Sequence, residues 1–218
     1  MQSETNAVLE AIKKRRTIRN YLPNAVPDRA IDIVLDAAHW SPSAANRQPW
    51  RFIVVKNVDA KKKIQNLVEE NRTLTIDVQV EPFKTGFSNY ETNWISSAPV
   101  HLVVCADPSK TGPHAGGEET YKYATGAAIQ NLMLAAYSLD LGTCWLSMFN
   151  KNDVKALLEI PEEIDVIGIV TLGYPKEIPE APNTIKRYGG KPRCDLSEIV
   201  FWEKFGNASK QQTSKSNL

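Results

Sequence analysis

Cysteine is scarce in this 218-residue sequence, and its three positions form no pattern. Cys105, Cys144 and Cys194 lie far apart and belong to no CxxC pair. This spacing argues against a disulfide framework or a metal site and fits a reducing compartment. Long apolar runs are also missing, because no stretch approaches the roughly 20 residues of a membrane helix and the first residues form no hydrophobic signal region. These absences predict a soluble cytoplasmic protein.

An excess of charge of either sign is lacking as well. The chain has 26 Lys and Arg against 25 Asp and Glu, which gives a formal net charge of +1. This balance provides no global electrostatic case for binding nucleic acid or an anionic membrane, so a basic function has to be local. The apolar content of 42% is sufficient for a substantial core. The length fits one generous domain or two small ones.

The familiar catalytic signatures are absent from the sequence. It contains no GxGxxG, HExxH or GxSxG, and the glycine-containing loop at 109–117 is not followed by GK[ST]. Cys144 has no histidine close in sequence, which disfavours a cysteine nucleophile. No acid, base or nucleophile is therefore evident. If the protein is an enzyme, a bound cofactor carries the chemistry.

The apolar periodicity predicts helices and strands without regular βαβ alternation, which favours an α+β fold with a mixed or antiparallel central sheet under helices. Ser3 is predicted to cap a first helix, and Gly142 to end the longest helix in a left-handed conformation. An apolar-faced helix is expected over 196–205. Residues 71–97 show no sustained period and are interpreted as a cover. The remaining predicted helices begin near Asp28, Asp59, Glu119 and Asp153, and the helix from Asp59 is predicted to end at Glu70. The predicted strands cover Phe52–Lys56, Val100–Ala106, Thr143–Phe149 and Val166–Leu172. The proline-rich residues 178–192 are predicted to form an extended arm or linker.

Two polar segments stand out against this background. Ser41–Trp50 contains two prolines and several short polar side chains beside a tryptophan, which predicts a fixed turn. It is either an ordinary helix-to-strand connection or one wall of a site for a planar, polar-edged ligand. Lys13–Arg19 is either a solvated basic helix end or an extended exit whose arginine forks match a phosphate. Local sequence leaves both alternatives open.

The order of these segments resembles the FMN-dependent nitroreductase family. The resemblance rests on RRTIR at 15–19, PSAANRQPW at 42–50, Trp145, LGYP at 172–175 and KPR at 191–193. It implies one nitroreductase-like domain over 1–206, an intertwined homodimer with FMN at the subunit interface, and NADH or NADPH as the reductant. Segments 71–97 and 109–120 would be variable cover loops, and 207–218 a disordered tail. Asn93 is the candidate flavin contact within the first of these loops.

The resemblance also implies residue roles. Arg15, Arg16, Thr17 and Arg193 would contact the FMN phosphate and ribityl chain, and Arg19 would be the cation beside the flavin pyrimidine edge. The partner-supplied face would consist of Pro42, Ser43, Ala44, Asn46 and Gln48. The strip against the opposite flavin face would consist of Trp145, Leu146, Ser147 and Met148, with a backbone N–H near flavin N5.

The implied activity is ping-pong hydride transfer through flavin N5 to nitroaromatics, quinones or related electrophiles. Two alternatives remain at this point. The same fold could serve another flavin reaction, such as reductive dehalogenation, enoate reduction or a step in cofactor biosynthesis. It could also bind flavin without turnover.

Overall fold

The computed structural model describes residues 6–78, 83–111, 117–179 and 193–207. Four strands form the sheet: β1 (Trp50–Val55), β2 (Val100–Ala106), β3 (Gly142–Leu146) and β4 (Asp165–Gly173). Seven helices occur in the described ranges: α1 (Ala7–Lys14), α2 (Asp28–His39), α3 (Val58–Val78), α4 (Phe83–Ser88), α5 (Trp94–Ser97), α6 (Thr120–Ser138) and α7 (Lys151–Leu158).

The sheet has the order β1-β2-β4-β3, and every neighbouring pair is antiparallel. The α+β prediction with a central sheet is therefore confirmed, and the sheet is antiparallel throughout. β2 is buried at all seven positions because helices cover both of its faces. Leu102 and Val104 face the layer formed by α2 and α6. Val103 and Cys105 face the layer of α3, α5 and α7.

The longest predicted helix matches α6, whose small residues serve the core of the same chain. Ala128 and Ala136 are fully buried where α2 packs against α6. Small side chains there let the two helices approach closely. α1 behaves differently, because it has no buried residue and its apolar side chains Val8, Leu9 and Ile12 are 48–62% exposed.

Several predicted element ends need correction. Asn6 is the N-cap of α1, since its side chain accepts hydrogen bonds from the amides of Val8 and Leu9; Ser3 lies outside the described residues. The third helix does not stop at Glu70 but extends to Val78. Its continuation and the short helices α4 and α5 occupy much of the segment that periodicity could not assign.

The predicted glycine cap after α6 is wrong. Asp140 adopts the left-handed conformation there, with φ of 57°, and Gly142 is already the first residue of β3. Gly142 is required for close packing instead, because a Cβ on it would lie 2.5 Å from Ile18 Cγ1.

The predicted final helix is also wrong. Only a 3-10 turn forms, over Leu196–Glu198, closed by an Asp195 capping box. Helical spacing of apolar residues does not by itself produce a helix. Among the described residues no surface buries this segment, and Leu196, Trp202 and Phe205 are 64–92% exposed. The predicted arm at 178–192 lies outside the described residues from 180 onward, as does the tail from 208.

Candidate functional site

The segment that follows α1 runs beside the edge strand β3. The chain leaves the helix at Arg15 with an extended ψ of 135°, as the sequence predicts. Thr17 forms a parallel bridge with Thr143, and the Ile18 N–H donates to the Thr143 carbonyl oxygen at 2.9 Å. This pairing places Arg15–Arg19 along the outer side of β3.

Three arginines come together at the start of this segment. The pKa of half-buried Arg15 is lowered by burial and by the positive charges of Arg16 and Arg193. Arg16 Nη1 donates to the carbonyl oxygens of Lys13, at 2.6 Å, and Arg15, at 2.9 Å. Within the described residues, no carboxylate forms an ion pair with any of the three arginines. Such a group of like charges favours a bound anion, and guanidinium forks match phosphate oxygens.

Arg19 lies among groups that the sequence reasoning did not assign to the site. Its Cζ is 6.0 Å from the ring centroid of Tyr90 and 5.9 Å from that of Trp94. These aromatic rings come from the segment without periodicity, so no sequence pattern linked them to Arg19. Arg19 also hydrogen-bonds with Cys144.

Cys144 is not a nucleophile at neutral pH. Burial raises the pKa of its thiol to about 11, although the charges of Arg19 and Arg15 and the hydrogen bond from Arg19 act in the opposite direction. The protonated thiol is the less reactive form. The sequence interpretation, which disfavoured a cysteine nucleophile, agrees with this environment.

The outer side of β3 is open beyond its bridge to the arginine segment. β3 is an edge strand, and among the described residues nothing pairs with its outer edge after Thr143. Trp145 is 42% exposed, and its indole lies over Gly168, where an added Cβ would be 2.2 Å from the indole nitrogen. Gly168 thus provides the space in which the indole packs on the sheet.

The residues after Trp145 offer mainly backbone to this edge. The side chain of Leu146 is buried, so Leu146 can contact a ligand there only through its backbone. Ser147 is exposed and Met148 is half-buried. Backbone N–H groups on an unpaired edge are ready hydrogen-bond donors for a planar ligand.

The loop between α2 and β1 has the fixed shape that its sequence predicts. A 3-10 turn covers Ala44–Asn46, and Ala45, Asn46 and Gln48 all have positive φ values of 48–53°. The Gln48 N–H donates to Ser43 Oγ at 3.0 Å, and Gln48 Nε2 donates to the Asn46 carbonyl oxygen at 3.1 Å. Pro42 and Asn46 are exposed, while Ser43 and Ala44 are half-buried.

The ends of this loop are tied to the core. Asn131 Nδ2, in the middle of α6, donates to the buried Ser41 Oγ at 2.8 Å. Half-buried Asn131 thus has Ser41 as its polar partner, whereas its neighbour Gln130 is exposed. Trp50 is buried and packs edge-to-face against His39, with ring centroids 6.4 Å apart.

The structure brings two of the three predicted groups together and keeps the third apart. The arginine segment and the strip after Trp145 share the β3 edge. The loop at 42–48 precedes β1, at the opposite edge of the sheet. Three interstrand spacings, about 14 Å, separate the two edges. The strand registers separate them further, since Trp50 pairs with Ala106 at one end of β2 while Thr143 aligns through Leu172 with the other end.

A model of the nitroreductase family matches residues 12–174, which cover every element from the end of α1 to β4. The chain belongs to the nitroreductase family. The predicted resemblance is confirmed, and so is the nitroreductase-like fold.

Known members of the nitroreductase family resemble the chain over most of its length. A Methanothermobacter thermautotrophicus protein named for NADH dehydrogenase/NAD(P)H nitroreductase activity is 35% identical, with 79% of each chain covered. The Nematostella vectensis iodotyrosine deiodinase is 27% identical over 86% of this chain and 74% of its own. The crystal structure of a Desulfovibrio desulfuricans protein named for nitroreductase activity, in complex with FMN, is 28% identical with a TM-score of 0.62, covering 92% of this chain and 98% of its own.

The helices of the described residues are not of the kind that spans a bilayer, as their length and composition show. None of these helices combines the length and the apolar character that crossing a bilayer requires.

Proposed function

We propose that this protein is an FMN-dependent NAD(P)H oxidoreductase that reduces nitroaromatics, quinones or related electrophiles. The observation that carries the proposal is the cluster of Arg15, Arg16 and Arg193 beside the open edge of β3, within a nitroreductase-family fold. An anionic cofactor phosphate matches this cluster, and the exposed backbone edge next to it can receive a planar ring. The relative from Desulfovibrio desulfuricans is in complex with FMN.

The arginines and Thr17 would hold the phosphate end of the cofactor. Arg15 is half-buried, so its charge is screened less by water than that of an exposed arginine. Arg193 is exposed and belongs to the segment after β4, which makes it a second clamp from a distant part of the sequence. Arg19 follows at a distance of two residues from Thr17 and would place its positive charge beside the pyrimidine edge of the ring.

The backbone of Trp145, Leu146, Ser147 and Met148 would orient the ring. When bound, FMN accepts a hydride from NADH or NADPH and passes it to an electrophile. The chain's own contribution is to bind the cofactor, orient it along β3 and place a fixed cation, and this needs no protein acid, base or nucleophile. Buried, protonated Cys144 takes no part as a nucleophile.

We further propose that two copies of the chain complete each site. Pro42, Ser43, Ala44, Asn46 and Gln48 would supply one face of the ring, yet the loop that carries them lies at the sheet edge opposite to the arginines. A second copy would bring its loop to the arginine segment of the first. The exposed apolar side chains of α1 and of the segment around Trp202 are the kind of surface that a subunit interface covers.

A different reaction on the same cofactor is the second candidate. The iodotyrosine deiodinase relative is 27% identical over 86% of this chain. Proteins this similar to the chain are therefore named for reactions other than nitroreduction. The acceptor is therefore the part of the proposal that a panel of substrates has to decide.

The first experiment is a visible spectrum of the purified protein, followed by FMN titration of the apoprotein. We expect a yellow protein whose flavin is bleached under anaerobic conditions by NADH or NADPH and reoxidised by nitroaromatics, quinones or a halogenated tyrosine. A colourless protein that takes up no FMN overturns the proposal. Flavin that binds and resists both nicotinamides indicates a binding protein without turnover.

A truncation tests the two-chain site. Ending the chain before Ile178 removes Arg193 and the segment around Trp202, so we expect a monomer that has also lost flavin. Ending it after Asn207 is the matched control and should preserve both properties. Sedimentation of the full-length protein as a monomer with flavin bound would contradict the dimeric site.

A further inference from the structure

One face of α3 carries a row of polar side chains that hydrogen-bond to the segment between α4 and β2. The row consists of Lys61, Gln65, Glu69 and Arg72, which stand three or four positions apart and therefore share one side of the helix. The partners of these side chains fall in reverse order along the chain, from 99 back to 88. The segment 88–99 thus runs antiparallel to α3 and is attached to it along its length.

Lys61 forms the buried end of this polar row. Its Nζ donates to the carbonyl oxygens of Ala98 at 2.7 Å and Pro99 at 3.2 Å, and the residue is only 6% exposed. In the part of the chain that the structure describes, no carboxylate pairs with this ammonium group. A buried charge without a counter-ion costs free energy, so we expect a role for Lys61 beyond general stability.

The other members of the row hold the middle of the segment. Gln65 Oε1 accepts a hydrogen bond from the N–H of Ser96 at 3.2 Å. Glu69 Oε2 accepts hydrogen bonds from Arg72 Nε at 2.9 Å and from the hydroxyl of buried Thr92 at 2.8 Å. The hydrogen bond from Arg72 is the main cause that lowers the pKa of Glu69, so this carboxylate stays ionised and accepts at neutral pH.

The short helix α5 depends on these contacts because it is only four residues long. A helix of this length leaves most of its N–H and C=O groups without partners inside the helix. Lys61 supplies a donor to Ala98, the residue that ends α5, and His101 Nε2 in β2 donates to the carbonyl oxygen of Ile95 at 2.8 Å. Side chains of α3 and β2 therefore determine where α5 lies.

α5 in turn carries an aromatic ring that packs against Arg19. The Cζ of Arg19 is 5.9 Å from the ring centroid of Trp94 and 6.0 Å from that of Tyr90, and the two rings meet edge-to-face. Arg19 also hydrogen-bonds with buried Cys144 of β3. The position of the guanidinium thus depends on the aromatic pair as well as on β3. Asn93, the predicted flavin contact, directly precedes Trp94 and is held by the same attachment.

We propose that Lys61 is a positioning residue for Arg19: it fixes α5 against α3, so that the Trp94 ring holds the guanidinium beside the proposed flavin edge. The step from Arg19 to the flavin rests on the proposed function, whereas the step from Lys61 to Arg19 rests on contacts within the chain. Lys61 acts only through α5 and the aromatic pair.

Cysteine labelling tests the link between Lys61 and Arg19. Full-length protein with excess FMN is treated with N-ethylmaleimide, and peptide mass spectrometry gives the labelling rate of each cysteine. Cys144 reports on Arg19, and Cys105, which is equally buried, reports on the core as a whole. Lys61→Met should raise the rate of Cys144 relative to Cys105 by about tenfold or more, the fold-change that corresponds to losing a hydrogen bond to a charged group. Lys61→Arg should restore most of the wild-type ratio.

The midpoint potential of bound FMN tests whether this positioning reaches the flavin. By spectroelectrochemistry, Lys61→Met should lower the potential in the same direction as Arg19→Gln but by a smaller amount. In the Arg19→Gln background, Lys61→Met should cause no further shift, because its effect passes through Arg19. An equal shift in both backgrounds would show that Lys61 acts by its own charge and would overturn the proposal.

Lys62→Met is the matched control, because Lys62 is the exposed neighbour of Lys61 on α3. It should change neither the labelling ratio nor the potential. If Lys61→Met leaves the ratio unchanged, or accelerates the labelling of Cys144 and Cys105 equally, Lys61 only stabilises the fold and the proposal is wrong. A protein that binds no FMN would refute the proposed function instead, and the labelling ratio would still decide whether Lys61 positions Arg19.

Discussion

The N–H of Ile18 donates to the carbonyl oxygen of Thr143 at 2.9 Å, and this hydrogen bond joins the arginine segment to the sheet. Ile18 is buried, so it anchors Arg15 on one side and Arg19 on the other. Tyr21 strengthens the attachment, because its hydroxyl bonds to the Ile18 carbonyl oxygen at 2.8 Å and lies 2.7 Å from Thr171 Oγ1. The positions of the arginines thus depend on the packing of β3 and β4.

The first prediction concerns the proposed phosphate clamp. Arg193→Ala and Arg15→Ala should each weaken FMN binding by about 1.5–3 kcal/mol, the usual range for a hydrogen bond to a charged group. Fluorescence titration of the apoprotein measures this change. Arg29→Ala, on the exposed side of α2, is the matched control and should leave the affinity as it is. Unchanged affinity in Arg193→Ala would make Arg193 a simple surface charge.

The second prediction separates the charge of Arg19 from its packing. Reduction adds negative charge to the flavin, so a nearby cation stabilises the reduced form more than the oxidised form. Arg19→Gln should lower the midpoint potential of bound FMN by about 30 mV or more, where 30 mV corresponds to roughly 1.4 kcal/mol for two electrons. Arg19→Lys should retain most of the wild-type potential. Spectroelectrochemistry on all three proteins makes the comparison.

The competing explanation is that Arg19 only stabilises the fold, since it contacts Tyr90, Trp94 and Cys144. If packing is its whole role, both substitutions should lower thermal stability while the midpoint potentials stay equal. That result, with flavin bound in each protein, would remove Arg19 from the proposed redox function.

The third prediction concerns stability in acid. His101 is fully buried in β2, its Nε2 lies 2.8 Å from the Ile95 carbonyl oxygen, and burial lowers its pKa from 6.5 to about 4. Between pH 6.5 and 4, His101 is therefore protonated in the unfolded chain and neutral in the folded chain. The stability from neutral His101 is fully present above pH 6.5 and falls as the pH drops to 4, by on the order of 3 kcal/mol. Urea unfolding at several pH values should show this slope, and His101→Gln should flatten it.

The fourth prediction tests the close packing at the start of β3. Gly142→Ala would bring a Cβ within 2.5 Å of Ile18 Cγ1 and 2.8 Å of its Cβ, so the buried Ile18 has to shift. We expect a loss of about 1–3 kcal/mol in the free energy of unfolding. Gly126→Ala, inside α6, meets no atom within 4 Å and should stabilise by about 0.5–1 kcal/mol. Equal effects in the two variants would contradict this packing role.

The sequence determined the elements whose signals are local. The apolar period and flanking residues identified α2, α6 and β2 to within about two residues, because amphipathic patterns and caps act within a few turns of the chain. The turn at 42–48 followed from its prolines and short polar side chains. The grouping of RRTIR with PSAANRQPW was enough to indicate the nitroreductase family, which the family match confirms.

Only the tertiary structure decided what those segments meet. The bridge between Thr17 and Thr143 joins residues 126 positions apart, and nothing local to either residue encodes it. Other contacts likewise depend on distant parts of the chain packing together. Examples are the aromatic neighbours of Arg19, the hydrogen bond from the Thr92 hydroxyl to Glu69 and the close contact between Gly142 and Ile18. The apolar residues after 195 have a helical period yet form only one turn. An amphipathic pattern gives a stable helix only when another surface buries its apolar face, and the assembled fold decides whether such a surface is present.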